Sequence, residues 1–201
     1  MATYSPTQDG YLNSATAPWS GTGLWNDTGA TFSALGTLGP AGLVFDLATG
    51  VTFSAATLSI HCELRVAAAG GGHWRLYLSD DPTPALWSDA NPPTRTGATL
   101  IASLAVGDPV DVPGTRTFDL DAAVLAALTS QPSWSGRIAL VLTFEGAVEG
   151  MSSQFTASES GDVANRPALT TTETPIVVAP LPSRVYHPRP PDHRPRRRVR
   201  V

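Results

Sequence analysis

The chain of 201 residues contains no lysine and a single cysteine, Cys62. A lone cysteine excludes a disulfide framework within the chain. No stretch approaches the roughly 18 apolar residues that a membrane span needs. Residues 1–6 also lack the basic and apolar regions of a secretion signal. We therefore expect a protein that is made and left in a cytoplasm until its host cell breaks open, and that contacts no membrane.

Charged residues make up only 15% of the chain, and their two signs are separated along it. Residues 1–180 hold six arginines against 16 acidic residues, a net charge of −10. Residues 181–201 hold seven arginines against Asp192 alone, a net charge of +6. The arginines are interleaved with prolines, which lack a backbone donor, and almost nothing in this segment is apolar. Because such a segment cannot build a core of its own, we expect it to bind another surface.

We call residues 174–201 the arm and expect residues 1–173 to form one domain. Polyproline segments lose little entropy on ordering, and arginine forks pair well with carboxylates. The arm is therefore expected to dock on an acidic groove of a neighbouring subunit or on an identical copy. A solvated tail is the second interpretation, and binding to nucleic acid, which the acidic body disfavours, is the third. The residues expected to contact the partner are Arg184, Tyr186, Arg189, Arg194, Arg196, Arg197, Arg198 and Arg200.

The clearest local pattern is the alternation of apolar and polar residues over 57–66. A period of two over ten residues predicts a strand with one wet face. Cys62 falls on the apolar side, which favours a small buried core residue over a reactive thiol. His61 falls on the opposite side and is expected to be solvated.

A second alternation, over 74–79, follows three glycines and predicts a hairpin partner for the first strand. Only residues 121–128 favour a helix, with Asp119 or Asp121 available as its N-cap. Further strands are predicted at 42–47, 99–106, 115–120, 138–144, 153–158 and 168–172. Together these elements predict an all-β fold, an antiparallel jelly-roll-type β-sandwich with one short helix and an extended C-terminal arm.

Several short motifs occur in an order typical of one known pattern. They are Asp-Gly-Tyr at 9–11, Phe-Asp-Leu at 45–47, an alternating strand at 56–60, Phe-Asp-Leu again at 118–120 before the helix, and Arg-Pro-Ala-Leu at 166–169. In these features the chain resembles the DNRLRE-type β-sandwich domains, relatives of a group of carbohydrate-binding jelly rolls, over residues 4–173. The resemblance implies a jelly-roll sandwich, and such domains occur in phage virion proteins and on bacterial surface proteins.

The five tryptophans are the other candidate binding residues. Exposed indole rings stack on sugars or anchor protein interfaces, whereas rings at the ends of a sandwich can also fill its core. Residues 80–97, which we call the proline loop, are polar and proline-rich and are expected to be irregular but functional or packed against a neighbour. Trp87 lies in this loop. The candidate contacts for a glycan or an interface are Trp87, Trp25 and Trp19.

The residue pattern gives little support to an enzyme. Neither His61 nor His73 stands near a serine or cysteine in a pattern that would activate a nucleophile. Glu145 and Glu149 flank a glycine-rich turn and could be imagined as a glycosidase pair, but a solvated hairpin tip is the favoured interpretation. Three aspartates of the proline loop could offer oxygens to calcium, but turns beginning at aspartate account for them. We predict no enzymatic activity, no cofactor and no metal.

The sequence thus predicts a structural virion protein of a bacteriophage, a decoration protein or a minor component of the capsid or tail surface, held to other virion proteins or to copies of itself by the arm. A carbohydrate-binding module, or the receptor-binding head of a fibre that recognises cell-surface glycans, is the alternative. Nucleic acid is not an expected partner.

Overall fold

The computed structural model describes residues 1–13, 24–26, 31–35, 40–66, 72–106, 114–145 and 152–176. These residues form two antiparallel β-sheets packed face to face, with one α-helix, and confirm the predicted all-β sandwich. The strands are β1 (Ala2–Tyr4), β2 (Gln8–Asn13), β3 (Leu24–Asn26), β4 (Thr31–Leu35), β5 (Ala41–Asp46), β6 (Val51–Val66), β7 (Gly72–Ser79), β8 (Ala98–Val106), β9 (Gly114–Leu120), β10 (Arg137–Glu145), β11 (Ser152–Thr156) and β12 (Ala168–Pro175).

The first sheet is organised around the long strand β6. Leu58 of β6 pairs with Leu169 of β12 and with Phe118 of β9, so these two strands lie on opposite edges of β6. β11 pairs with β6 at Cys62, further along the same edge as β12. β1 lies beyond β12 and β4 lies beyond β11, whereas the second sheet runs in the order β3, β2, β5, β10, β7, β8.

The core lies between the two sheets and follows from the alternation seen in the sequence. On β6, Leu58, Ile60 and Cys62 are at most 1% exposed, so the predicted inward direction of Cys62 is confirmed. On β10, Ile138 and Leu140 are fully buried. Each fully buried aliphatic side chain stabilises the fold by about 1.5–3 kcal/mol through the removal of apolar surface from water.

The central strands of the second sheet are buried on both faces. Val44 of β5 and Ala139 and Val141 of β10 point away from the core between the sheets, yet all three are 0% exposed. They form a second apolar cluster with Trp87, against which Tyr77 packs. This double burial explains why β5 is a continuous apolar run rather than an alternating one.

The predicted hairpin between the strands now labelled β6 and β7 is wrong. β7 pairs with β10 and β8 in the second sheet, whereas β6 belongs to the first. Both strands direct their apolar side chains into the same core from opposite sides. Period-two alternation determines which face of a strand is buried, but it does not determine which strand becomes its neighbour.

The helix α1 (Ala122–Thr129) confirms the prediction, and its N-cap is Asp121, whose carboxylate accepts hydrogen bonds from the backbone N–H groups of Ala123 and Val124. The strands over 42–47, 99–106, 115–120, 138–144, 153–158 and 168–172 are also confirmed. The sequence analysis did not predict β1, β3, β4 or the first residues of β6. β12 ends at Pro175, two residues beyond the predicted end of the domain at residue 173. The jelly-roll connectivity stays a prediction. Within the described ranges, no helix is long and apolar enough to span a membrane.

Candidate functional site

The proline loop is a compact loop whose two ends meet. The backbone N–H of Asp80 donates to the carbonyl of Gly97 at 2.9 Å, and the Asp80 carboxylate accepts a 2.7 Å hydrogen bond from the Thr99 hydroxyl. The carboxylate of Asp81 accepts from the backbone N–H of Thr83 at 2.8 Å, which forms the expected turn. These aspartates therefore shape the loop, and no group of potential metal ligands is found among the residues that the structure describes.

Trp87 is buried, and the expectation that it offers an exposed ring is wrong. It is 7% exposed and packs on the outer face of the second sheet. Pro84 and Pro93 of the proline loop are buried as well. The apolar residues of the loop therefore cover Val44 and its neighbours on that face. A ring in this position stabilises the loop and has no open face on which a sugar could stack.

Gln8 fixes the position of Trp87 through the main chain. The Gln8 side-chain amide donates to the carbonyl of Trp87 at 3.0 Å, and its oxygen accepts from the backbone N–H of Trp87 at 2.8 Å. This pair of bonds imitates the pairing of two strands and satisfies two backbone groups that would otherwise be buried without partners. Gln8 therefore joins the proline loop to β2.

Asp9 lies on the opposite face of β2, between the two sheets. Its carboxylate accepts a hydrogen bond from the backbone N–H of Ser158 at 2.8 Å and is 2% exposed. Burial raises the pKa of Asp9 to about 7, and the negative charge of Glu159 raises it further, while the bond from Ser158 opposes the change. Asp9 thus links β2 to the segment that follows β11 in the other sheet.

An open cleft of about 440 Å³ lies at the edge of the proline loop. It is lined by Tyr77, Thr94, Arg95 and Thr96. An aromatic ring beside hydroxyl groups and a guanidinium suits a small polar ligand such as a sugar.

A second groove, of about 380 Å³, lies beside Ile176, the last described residue. We call it the arm groove. One wall is formed by residues 49–53 at the start of β6, and the other by the end of α1 and by Trp134. The Trp134 ring packs edge-on against Phe53 with 6.0 Å between ring centroids, and its Nε1 donates to the carbonyl of Arg137 at 3.0 Å. The residues that line the groove are Thr49, Gly50, Val51, Thr52, Phe53, Ala126, Thr129, Ser130, Gln131, Trp134 and Ile176.

The root of the arm is tied firmly to the sandwich beside this groove. The backbone N–H of Ile176 donates to the carbonyl of Gly50 at 2.9 Å. The Tyr4 hydroxyl donates to the carboxylate of Glu173 at 2.6 Å and accepts from the backbone N–H of Ala48. Burial raises the pKa of Tyr4. Ile176 lines the arm groove and is 54% exposed, so an apolar side chain is in contact with solvent there.

Most of the predicted contact residues lie outside the described part of the chain. This applies to Trp19, Glu149 and every predicted arm residue, which are Arg184, Tyr186, Arg189, Arg194, Arg196, Arg197, Arg198 and Arg200. Trp25 lies on β3, where only the backbone is described. His61 faces away from the core and is half-buried, whereas His73 is exposed on β7.

The sequence analysis missed Gln8, Asp9, Trp134 and Ile176 as structural or surface residues. The inward direction of Asp9 could have been predicted, because it lies two residues from Tyr11. Residues two apart on a strand share a face, and Tyr11 packs against the core. Nothing in the local sequence around Trp134 or Ile176 signals that they line one groove. Their proximity depends on how the sheet and α1 are assembled.

Comparison with known proteins assigns no family. No family model matches the sequence, and no curated protein matches it. Among solved structures, the chain is similar to a glycoside hydrolase family 43 arabinoxylan arabinofuranohydrolase from Bacillus subtilis, in complex with cellotetraose, with a TM-score of 0.33 and 12% identity. The similarity covers 76% of this chain and 26% of that one, so the chain spans about a quarter of that protein. A similarity this weak assigns neither a fold family nor an activity, and the resemblance to DNRLRE-type domains stays a prediction.

Proposed function

We propose that this chain is a structural, non-enzymatic protein of a bacteriophage particle, a decoration protein or a minor component of the capsid or tail surface. The observation that carries the proposal is the position at which buried apolar residues give way to a basic, proline-spaced segment. The buried core of the described part ends at Leu169, and the last described strand ends at Pro175. The arm that follows holds seven of the 13 basic residues, spaced by prolines. The sandwich is the body, and the arm is the tether that fastens it to neighbouring subunits.

The charges of the body support a protein partner for the arm. Exposed carboxylates are spread over the described surface, at Asp46, Asp80, Asp81, Asp89, Asp119, Asp121, Glu159 and Asp162. With a net charge of −10 over residues 1–180, this surface repels nucleic acid. The same surface attracts arginine forks from another copy or from a similar subunit.

The position of Asp9 supports a role without catalysis. A carboxyl with a strongly raised pKa would suggest an acid catalyst if it faced a cleft. Asp9 is 2% exposed and lies between the sheets, where no substrate reaches it. The resemblance to domains that occur in phage virion proteins also favours a role without catalysis.

The test replaces all seven arm arginines and measures incorporation into particles. In one variant they become glutamine, and in a matched variant they become lysine, which keeps the charge but loses the planar fork. Each chain is produced together with the other structural proteins of the particle, and the purified particles are assayed for it after nuclease treatment. We expect the glutamine variant to be absent and the lysine variant to be reduced. Normal incorporation of the glutamine variant would overturn the proposal.

Glycan binding is the second candidate, favoured by the cleft beside the proline loop. If it holds, the intact chain binds sugars on a glycan array, and both Tyr77→Ala and Arg95→Ala lose that binding, since both residues line the cleft. Thr83→Ala, which alters the proline loop away from the cleft, is the matched control. A blank array for the intact chain would exclude this function.

A further inference from the structure

Over its first residues, one edge of β6 has no neighbouring strand in the described part of the chain. β9 pairs with residues 56–62 and then gives way to α1, whereas β12 occupies the opposite edge as far as Val51. Within the described part of the chain, no strand lies beside residues 51–55 on the β9 side. We call this stretch the free edge. Unpaired backbone groups on such an edge can accept another extended chain as an added strand.

The arm groove lies on the side of the free edge. Its lining joins the first residues of β6, Val51, Thr52 and Phe53, to Ala126 and Thr129 of α1, the helix that follows β9. The edge of β6 that faces α1 across the groove is therefore the free edge. Across the groove stands Trp134, whose Nε1 is already bonded to the Arg137 carbonyl. Its ring therefore offers apolar contact, and the opposite wall offers main-chain hydrogen bonds.

The arm contains a segment whose chemistry matches this groove. Residues 177–182 read Val-Val-Ala-Pro-Leu-Pro, with no charge and no polar side chain. Valine favours an extended strand, and a Pro-Leu-Pro stretch suits a groove with an aromatic wall. The segment follows directly on Ile176, which lines the groove and is 54% exposed.

We infer that the arm groove of one copy binds residues 177–182 of a second copy, with the valines added as a strand to the free edge and the prolines against Trp134. The inference rests on the proposed function, in which the arm is a tether, and identifies the arm groove as a surface that the tether binds. Reciprocal exchange of arms gives a dimer, and exchange in one direction gives a chain of subunits.

The distance across β6 favours a second copy over the same chain. β12 and a strand added at the free edge would lie on opposite sides of β6, two strand spacings or about 10 Å apart. At about 3.3 Å per residue, an arm that crossed from the β12 side to the free edge of its own chain would use about three residues, 177–179. Pro180 and Pro182, which cannot donate a hydrogen bond, would then have to form the added strand. The arm of a second copy can place residues 177–179 on the free edge instead.

The test measures the self-association of the full-length chain by sedimentation over a range of concentrations. Ala126→Glu puts a charge into the groove, and Val178→Asp puts one into the arm segment. Ala123→Glu, on an exposed position of the same helix and outside the groove, is the matched control. We expect the unaltered chain and the control to associate, and each of the other two variants to weaken association by about tenfold or more. Circular dichroism checks that all four are folded.

Mixing the two defective variants decides between the occupants of the groove. Ala126→Glu leaves the arm unaltered, and Val178→Asp leaves the groove unaltered. The arm of the first can therefore bind the groove of the second, so the mixture should associate although each variant alone does not. Failure of the mixture to associate would overturn the inference in favour of docking within one chain. An unaltered chain that stays monomeric would also overturn it. The seven-glutamine variant leaves residues 177–182 intact and should still associate, so its absence from particles reports on the proposed function separately.

Discussion

The carboxyl group of Asp9 should make the stability of this protein fall as the pH rises from acid to neutral. Asp9 is sealed between the sheets, and its pKa in the folded chain is about 7, against an ordinary value of 3.8. Below pH 3.8 the group is protonated in both states, and above pH 7 it is ionised in both. Between these values the folded protein binds the extra proton, so folding is favoured at the acid end of the window.

The size of this effect follows from the shift in pKa. A difference of about three pKa units corresponds to about 4 kcal/mol, at about 1.4 kcal/mol for each unit of pH. That is a large fraction of the total stability of a typical domain, about 5–15 kcal/mol. Burial is the largest cause of the shift, so the effect should survive when the nearby charge of Glu159 is removed.

The assay compares urea unfolding of the unaltered chain and of Asp9→Asn at several pH values across this window. Asparagine has an oxygen that can accept the bond from the N–H of Ser158 but carries no charge to desolvate. The difference in unfolding free energy between the two proteins should therefore change by about 4 kcal/mol from acid to neutral pH, in favour of Asp9→Asn at neutral pH. Other titrating groups are common to both proteins and cancel in the difference.

Asp162→Asn, at an exposed carboxylate, is the matched control and should keep the pH dependence of the unaltered chain. Glu159→Gln should move the titration to lower pH without abolishing it. A difference between the unaltered chain and Asp9→Asn that does not vary with pH would refute the argument.

Other predictions concern the proline loop and a tight turn. Gln8→Ala removes both side-chain bonds to the Trp87 main chain. It should destabilise the protein by about 1–3 kcal/mol and speed hydrogen exchange in the proline loop before the sheets open. Unchanged exchange would contradict the role of Gln8 in holding the loop on β2. Gly136→Ala should cost about 1–3 kcal/mol, because φ is +87° and the new Cβ would lie 2.9 Å from Cγ2 of Thr49. Gly161→Ala meets no atom within 4 Å and should change the unfolding free energy by less than about 0.5 kcal/mol, so equal effects of the two would refute this account.

The fold class and much of the core were predictable because they depend on local periodicity. Alternation over 57–66 identified a strand and the inward direction of Cys62, and Asp121 marked the start of α1. The weaker strands at the N-terminal end lack clean alternation, and β5 loses it because both of its faces are covered. Strand partners were less predictable, as the wrong hairpin between β6 and β7 shows.

Surface sites depended on contacts between residues far apart in sequence. Trp87 was expected to be exposed because it lies in a polar loop. Its position depends on Gln8, 79 positions earlier in the chain, whose side-chain amide bonds to the Trp87 main chain. The arm groove likewise joins the start of β6, the end of α1 and Ile176.

What the sequence by itself determined is therefore the all-β fold class and the separation of charge between an acidic body and the basic, proline-spaced residues 181–201, because composition and period-two patterning act locally. Only the tertiary structure decided which strands pair, that Trp87 is covered and that Asp9 is sealed between the sheets. It also decided that the described strands leave one edge of β6 unpaired over residues 51–55. Those features arise when distant segments compete for the same edges and faces, and no local pattern records the outcome.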